Sequence, residues 1–103
     1  MNYKKLYMDF YGYYEGDFIP CAICQAPAVD IHHIDAKGMG GDDSRNRIEN
    51  LIALCRKHHT DLGDRIQYKS MLYKLVFYQL MRKDFDTFEW IVNQIERYQH
   101  INP

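Results

Sequence analysis

The chain is 103 residues long and carries 13 basic against 14 acidic side chains, a formal net charge of −1. That length fits one domain with a modest core, to which a bound metal would add materially, and the near-neutral balance excludes the strongly basic class of nonspecific nucleic-acid binders. No apolar run approaches membrane-spanning length, "MNYKKLYMDF" lacks a signal-peptide core, and three cysteines are an odd number for a disulfide framework; a reduced, cytoplasmic protein is expected.

In chain order, residues 2–14 are rich in tyrosine and predict a short helix ended by Gly12 or Gly16. "DFIPCAICQAP" reads as a turn-rich knuckle punctuated by Pro20 and Pro27. "AVDIHHI" has the β-branched content of a strand, "DAKGMGGDDSRN" is loop chemistry, and "NLIALC" suits a second short strand. "RKHHTDLGDR" begins a polar helix-compatible stretch. From Tyr68 to Met81 apolar residues nearly encircle a helix, which predicts burial on more than one side.

Asp86 with Glu89 resembles a capping box, Phe85 and Trp90 sit at staple positions, and Phe88, Ile91, Val92 and Ile95 share one helix face. Trp90 and this stripe read as core rather than as a ligand-stacking surface. The remaining apolar surface of the two helices suits a homodimer contact or a protein partner. The elements sum to an α+β chain, a single domain over 1–103, with a core about 18–66 and a C-terminal helical extension about 67–100. Charge is uneven: residues 37–69 hold seven basic and five acidic side chains, whereas residues 1–36 hold two and five.

Cys21-x2-Cys24 and Cys55-x2-His58 are two pairs at the spacing that lets a tight turn aim both side chains at one ion. Four such ligands point to tetrahedral zinc, and a full set of protein ligands makes the role structural. The plain alternative is three small buried thiols and an unrelated histidine.

His32, His33 and His59 are then left over. Adjacent residues diverge by about 100° on a helix and leave opposite faces of a strand, so neither His58 and His59 nor His32 and His33 should share a partner. On their own, three such histidines more often serve as partly buried polar residues. A phosphodiester hydrolase has a use for them: a cation neutralises developing charge while a neutral imidazole takes the proton of the attacking water.

In order and spacing, "CAIC", "DIHHID", "KGMGG", "NLIALC" and "CRKHH" resemble the HNH (ββα-metal) endonucleases, specifically the small zinc-knuckle type frequent in phages and mobile elements. The resemblance covers Cys21 to His59 and implies a ββα-metal core that hydrolyses DNA and leaves a 5′-phosphate. By position it implies His33 as general base, His32 and His59 as ligands of a catalytic divalent cation such as Mg²⁺, and Asn50 as the brace of the loop between the strands, with Asn46 the weaker candidate. Two departures stand out: His58 replaces the cysteine many relatives carry, and Gly63 stands where some relatives have a further histidine. Asp30 shares a strand face with His32 and suits either a supporting role or plain solvation. Lys37, Arg45, Arg47, Arg56, Lys57 and Arg65 flank the implied core and are candidates for phosphate contact. The rival readings are a zinc-stabilised nucleic-acid-binding module without catalysis and a vestigial nuclease fold serving as a protein adaptor.

Overall fold

The computed structural model describes residues 2–36 and 43–101, with Asp43 described in its backbone alone. Lys37 and the glycines of "KGMGG" lie outside the described residues.

Helix α1 (Tyr3–Tyr11) opens on Asn2, whose side-chain oxygen accepts the N–H of Lys4 at 2.9 Å and of Lys5 at 3.3 Å. Two donors that a helix start leaves unmet are thereby satisfied. It closes at Gly12, the first of the two candidate glycines, whose φ of 79° lies in the left-handed region that a residue without Cβ adopts without strain.

The knuckle follows. The Cys21 N–H donates to the Ala26 carbonyl at 2.7 Å and the Gln25 N–H to the Cys21 carbonyl at 3.0 Å, closing a tight turn with Gln25 at φ 69°. Pro20 and Pro27 form an isolated bridge across its base. Both strands then appear where β-branched and apolar runs predict them. Strand β1 (Asp30–His33) pairs antiparallel with β2 (Leu51–Leu54), placing His32 opposite Ile52 and His33 opposite Leu51. All four residues of β2 are buried, as its uninterrupted apolar run requires.

Helix α2 (Arg56–Leu62) starts directly after Cys55 and lies against both strands. The order β1–β2–α2 is a ββα unit, and with the helices that follow it gives an α+β fold. Helix α3 (Lys69–Met81) packs on β2 and on the short turn Ile48–Asn50, burying Ser70, Leu72, Tyr73, Val76 and Leu80. Met71, Tyr78 and Met81 stay exposed on its outer side. Helix α4 (Glu89–Tyr98) packs along α3 and buries Ile91 and Tyr98.

The expected capping box at Asp86 does not form. The helix starts at Glu89, its cap position is Phe88 with no side-chain bond, and the Asp86 carboxylate instead accepts the Thr87 hydroxyl at 3.0 Å. Phe85 stacks edge-on against Phe10 and Phe88. Aromatic packing between the terminal helices therefore sets the chain's entry to α4. No helix among the described residues is long and apolar enough to cross a membrane.

Candidate functional site

Cys21 and Cys24 come from the knuckle, Cys55 from the end of β2, and His58 from the first turn of α2. Their ligand atoms all lie within 4.8 Å of one another. The Sγ atoms of Cys24 and Cys55 are 3.7 Å apart, and His58 Nδ1 lies 3.7 Å from Cys21 Sγ and 3.3 Å from Cys55 Sγ. Bonds of about 2.3 Å to sulfur and about 2.0 Å to nitrogen at tetrahedral angles give edges of about 3.8 Å between sulfurs and about 3.5 Å between sulfur and nitrogen. The donor set thus fits zinc, and 3.7 Å is far too long for a disulfide.

Burial opposes ionisation of Cys21, but the backbone N–H groups of Cys55, Cys24 and Ile23, joined by His58, outweigh it and hold the thiol down to about 6. That site favours the thiolate, the form that binds metal.

His59, next in sequence to His58, points away from this cluster. Its ring meets that of His32 edge-on at 5.0 Å between centroids, and its Nε2 lies 3.5 Å from Asp30 Oδ2. His32 is buried and its Nε2 lies 2.7 Å from the Gly63 carbonyl. A carbonyl can only accept, so Nε2 carries the hydrogen and Nδ1 keeps its lone pair. Ligating histidines commonly have their other ring N–H tied down in this way. Burial is the largest influence on His32 and lowers its pKa, although the Gly63 carbonyl pulls the other way; the ring favours the neutral, ligating form.

Gly63 has a physical reason to be glycine. A Cβ there would meet the His59 carbonyl at 2.5 Å and His32 Cε1 at 3.2 Å. A further histidine at this position has no room, and the close approach of Gly63 leaves its carbonyl available to His32.

His33 leaves the opposite side of β1. Its Nε2 is 2.7 Å from Asn46 Oδ1, and its ring lies 4.4 Å from that of Tyr3 on α1. With the amide oxygen facing the ring, Nε2 donates and Nδ1 is left as the basic nitrogen. The asparagine touching His33 is thus Asn46 rather than Asn50.

Asn50 is fully buried and ties the interstrand loop at three points. Its Oδ1 accepts the Asp35 N–H at 2.9 Å, and its Nδ2 donates to the carbonyls of Asp35 at 3.0 Å and Arg45 at 2.9 Å. Tyr73 Oη lies 2.7 Å from both Asn50 Oδ1 and Asp35 Oδ2, so its one hydrogen serves two acceptors. The buried Asp35 carboxylate also takes Lys69 Nζ at 2.8 Å and Tyr98 Oη at 2.7 Å. Burial opposes its charge, but these donors outweigh burial and lower its pKa.

Asp35, Lys69, Tyr73 and Tyr98 did not emerge from spacing. "DIHHID" does place an acid two residues after His33, but its partners lie 34 to 63 positions further along the chain. Of the basic candidates, Arg45 and Arg47 flank Asn46, while Arg56 and Lys57 open α2 with exposed side chains. Arg65 is exposed just beyond that helix.

Burial first, and then the hydrogen bond to Asp35, raise the pKa values of Tyr73 and Tyr98 above the ordinary 10.0. An acid whose folded pKa is raised stabilises the fold below its unfolded value, and that stability is lost as pH climbs through the folded one. In an alkaline ultraviolet titration both hydroxyls are therefore expected to ionise only as the chain unfolds. Ionisation of all nine tyrosines near pH 10 with the fold intact would contradict this network.

A family model for HNH endonuclease matches residues 21–65. This segment belongs to the HNH endonuclease family, and the Cys3His cluster makes it the zinc-knuckle type. Nuclease-type chemistry with bound metal is the activity of that family. The Escherichia coli (strain K12) protein named "Uncharacterized protein YdfU" is 44% identical over 43 residues, 42% of this chain. The match spans 12% of that protein's length. No solved structure matches the chain. Helices α1, α3 and α4 lie outside the HNH match, yet Tyr3, Tyr73 and Tyr98 reach His33, Asn50 and Asp35 from them.

Proposed function

We propose that the protein is a metal-dependent endonuclease that hydrolyses DNA phosphodiester bonds, with His33 as its general base. The observation that carries this reading is the divergence of the histidines. His58 groups with three thiols, His59 with His32, and His33, on the opposite side of β1, has one nitrogen committed to Asn46 and the other available.

His33 Nδ1 accepts a proton from water as that water attacks phosphorus. The bond to the 3′-oxygen breaks, the leaving oxygen takes a proton from solvent, and the 5′-phosphate stays on the other fragment. Asn46 holds the ring in the tautomer this step needs, and Asn50 holds the loop. His32 and His59 would hold a divalent cation such as Mg²⁺, which would supply Lewis-acid neutralisation of charge on the phosphate and leaving oxygen. Asp30 steadies His59. Cys21, Cys24, Cys55 and His58 would hold a structural zinc, with no position left for substrate. Arg45, Arg47, Arg56, Lys57, Arg65 and Lys37 position phosphates rather than read bases.

All of residues 1–103 serve this one unit, because the terminal helices supply Tyr3, Tyr73 and Tyr98 to it. Three thiols kept for metal suit a reducing compartment, the cytoplasm of a bacterial or phage-infected cell.

The test is conversion of supercoiled plasmid to nicked or linear product by the zinc-loaded protein with added magnesium, manganese or nickel. Product bearing 5′-phosphate ends is expected with at least one of these metals and none without added metal. No product with any of them would favour a zinc-stabilised binding module.

A further inference from the structure

A shallow pocket of about 240 Å³ lies between the chain around Asn46 and helix α4, lined by Ser44, Arg45, Arg47, Trp90, Gln94 and Arg97. Three guanidinium groups from segments about fifty residues apart converge there, and no carboxylate lines the wall among the described residues. Two of them are held from behind. Arg45 Nη1 lies 3.5 Å from Asp35 Oδ2, and Arg47 Nε and Nη2 each lie 3.2 Å from the Glu49 carboxylate; both acids are buried. Arg47 also sits over the Trp90 ring, 4.3 Å from its centroid. These contacts fix two long side chains in advance, so a ligand need not bear the entropy of ordering them.

Arg97 differs. It extends from the last turn of α4, its guanidinium 5.3 Å from the Tyr98 ring, and has no ion pair among the described residues. Gln94 Oε1, in the same pocket, is buried without a hydrogen-bond partner among them. A wall of planar forks matches the oxygens of a phosphodiester, which arginine binds in bidentate fashion. The pocket's position selects among phosphates. Asn46, lying between Arg45 and Arg47 in sequence, holds His33, so the segment that lines the pocket also carries a partner of the proposed base.

We propose that this pocket is a phosphate subsite for the DNA strand that runs past His33, completed by Arg97 of α4. The proposal rests on the nuclease reading for its substrate, but Arg97, Trp90 and Gln94 lie outside the HNH match.

The test is fluorescence anisotropy of a fluorescein-labelled duplex oligonucleotide with the full-length, zinc-loaded protein, without catalytic metal, at stepped potassium chloride. Arg97→Ala is expected to weaken binding roughly tenfold and to flatten the salt dependence by about 0.9 in log–log slope. Arg97→Lys should fall between parent and Arg97→Ala, and Arg82→Ala, which removes an exposed charge away from the pocket, should match the parent. Parent affinity and slope for Arg97→Ala, with zinc content and circular dichroism also unchanged, would overturn the subsite. Inorganic phosphate as competitor separates a strand from a free anion. Displacement no better than chloride at equal ionic strength supports the strand, and displacement by micromolar phosphate overturns it. Weakened binding by Arg97→Ala in a protein that never nicks plasmid would sink the nuclease reading while the subsite stood.

Discussion

His33→Ala is expected to lower the rate of DNA cleavage by roughly 10²- to 10⁴-fold, the usual worth of a positioned general base, without lowering zinc content or thermal stability. The side chain is only partly buried and holds no part of the hydrophobic core, whose members include its strand neighbour Ile31. Its contacts are Asn46, which has a further partner, and the Tyr3 ring, which also packs against the core. Initial rates from plasmid nicking, with circular dichroism as the folding control, measure the effect. Cleavage by His33→Ala at the parent rate would remove His33 from its role.

Stripping zinc, or replacing Cys21 by serine, is expected to unfold the chain. Structural zinc in small domains contributes on the order of 10 kcal/mol of apparent binding free energy, comparable to the whole stability of a domain this size. Here the ion would tie the knuckle to the end of β2 and the start of α2, closing the loop that carries His32, His33, Asn46 and Asn50. Elemental analysis should find about one zinc per chain after weakly held ions are removed. Strong chelation should abolish the cooperative melt and the helical circular dichroism together. A chelated protein that melts like the parent would show that the four side chains merely neighbour one another.

The grouping of the knuckle ligands was legible because it depends on local spacing: each pair lies within one turn, and β-pairing brings the turns together. Strand alternation and the helix step of about 100° told only that the members of each histidine pair diverge; that His32 meets His59 was what the resemblance to the HNH endonucleases implied. The support beneath the loop was not. Asp35 finds Lys69, Tyr73 and Tyr98 only because α3 and α4 fold back over the turn at Ile48–Asn50, and hydrophobic periodicity reports which face of a helix is buried, not which hydroxyl reaches which carboxylate. The start of α4 was misplaced for a related reason. Asp86 and Glu89 have capping-box spacing, but the contacts of Phe85 with Phe10 and Phe88 delay the helix to Glu89. Asn46 was outweighed by Asn50 because position in a motif carries no information about which amide reaches an imidazole.

The central claim is that two neighbouring imidazoles belong to different metals, His58 to the scaffold and His59 to the chemistry. Zinc content, melting and plasmid nicking of His58→Ala and His59→Ala, measured side by side, test it most directly. His58→Ala is expected to lose zinc and its cooperative melt, whereas His59→Ala is expected to keep both and no longer cleave. Loss of zinc from His59→Ala, or undiminished cleavage by it, would contradict the account.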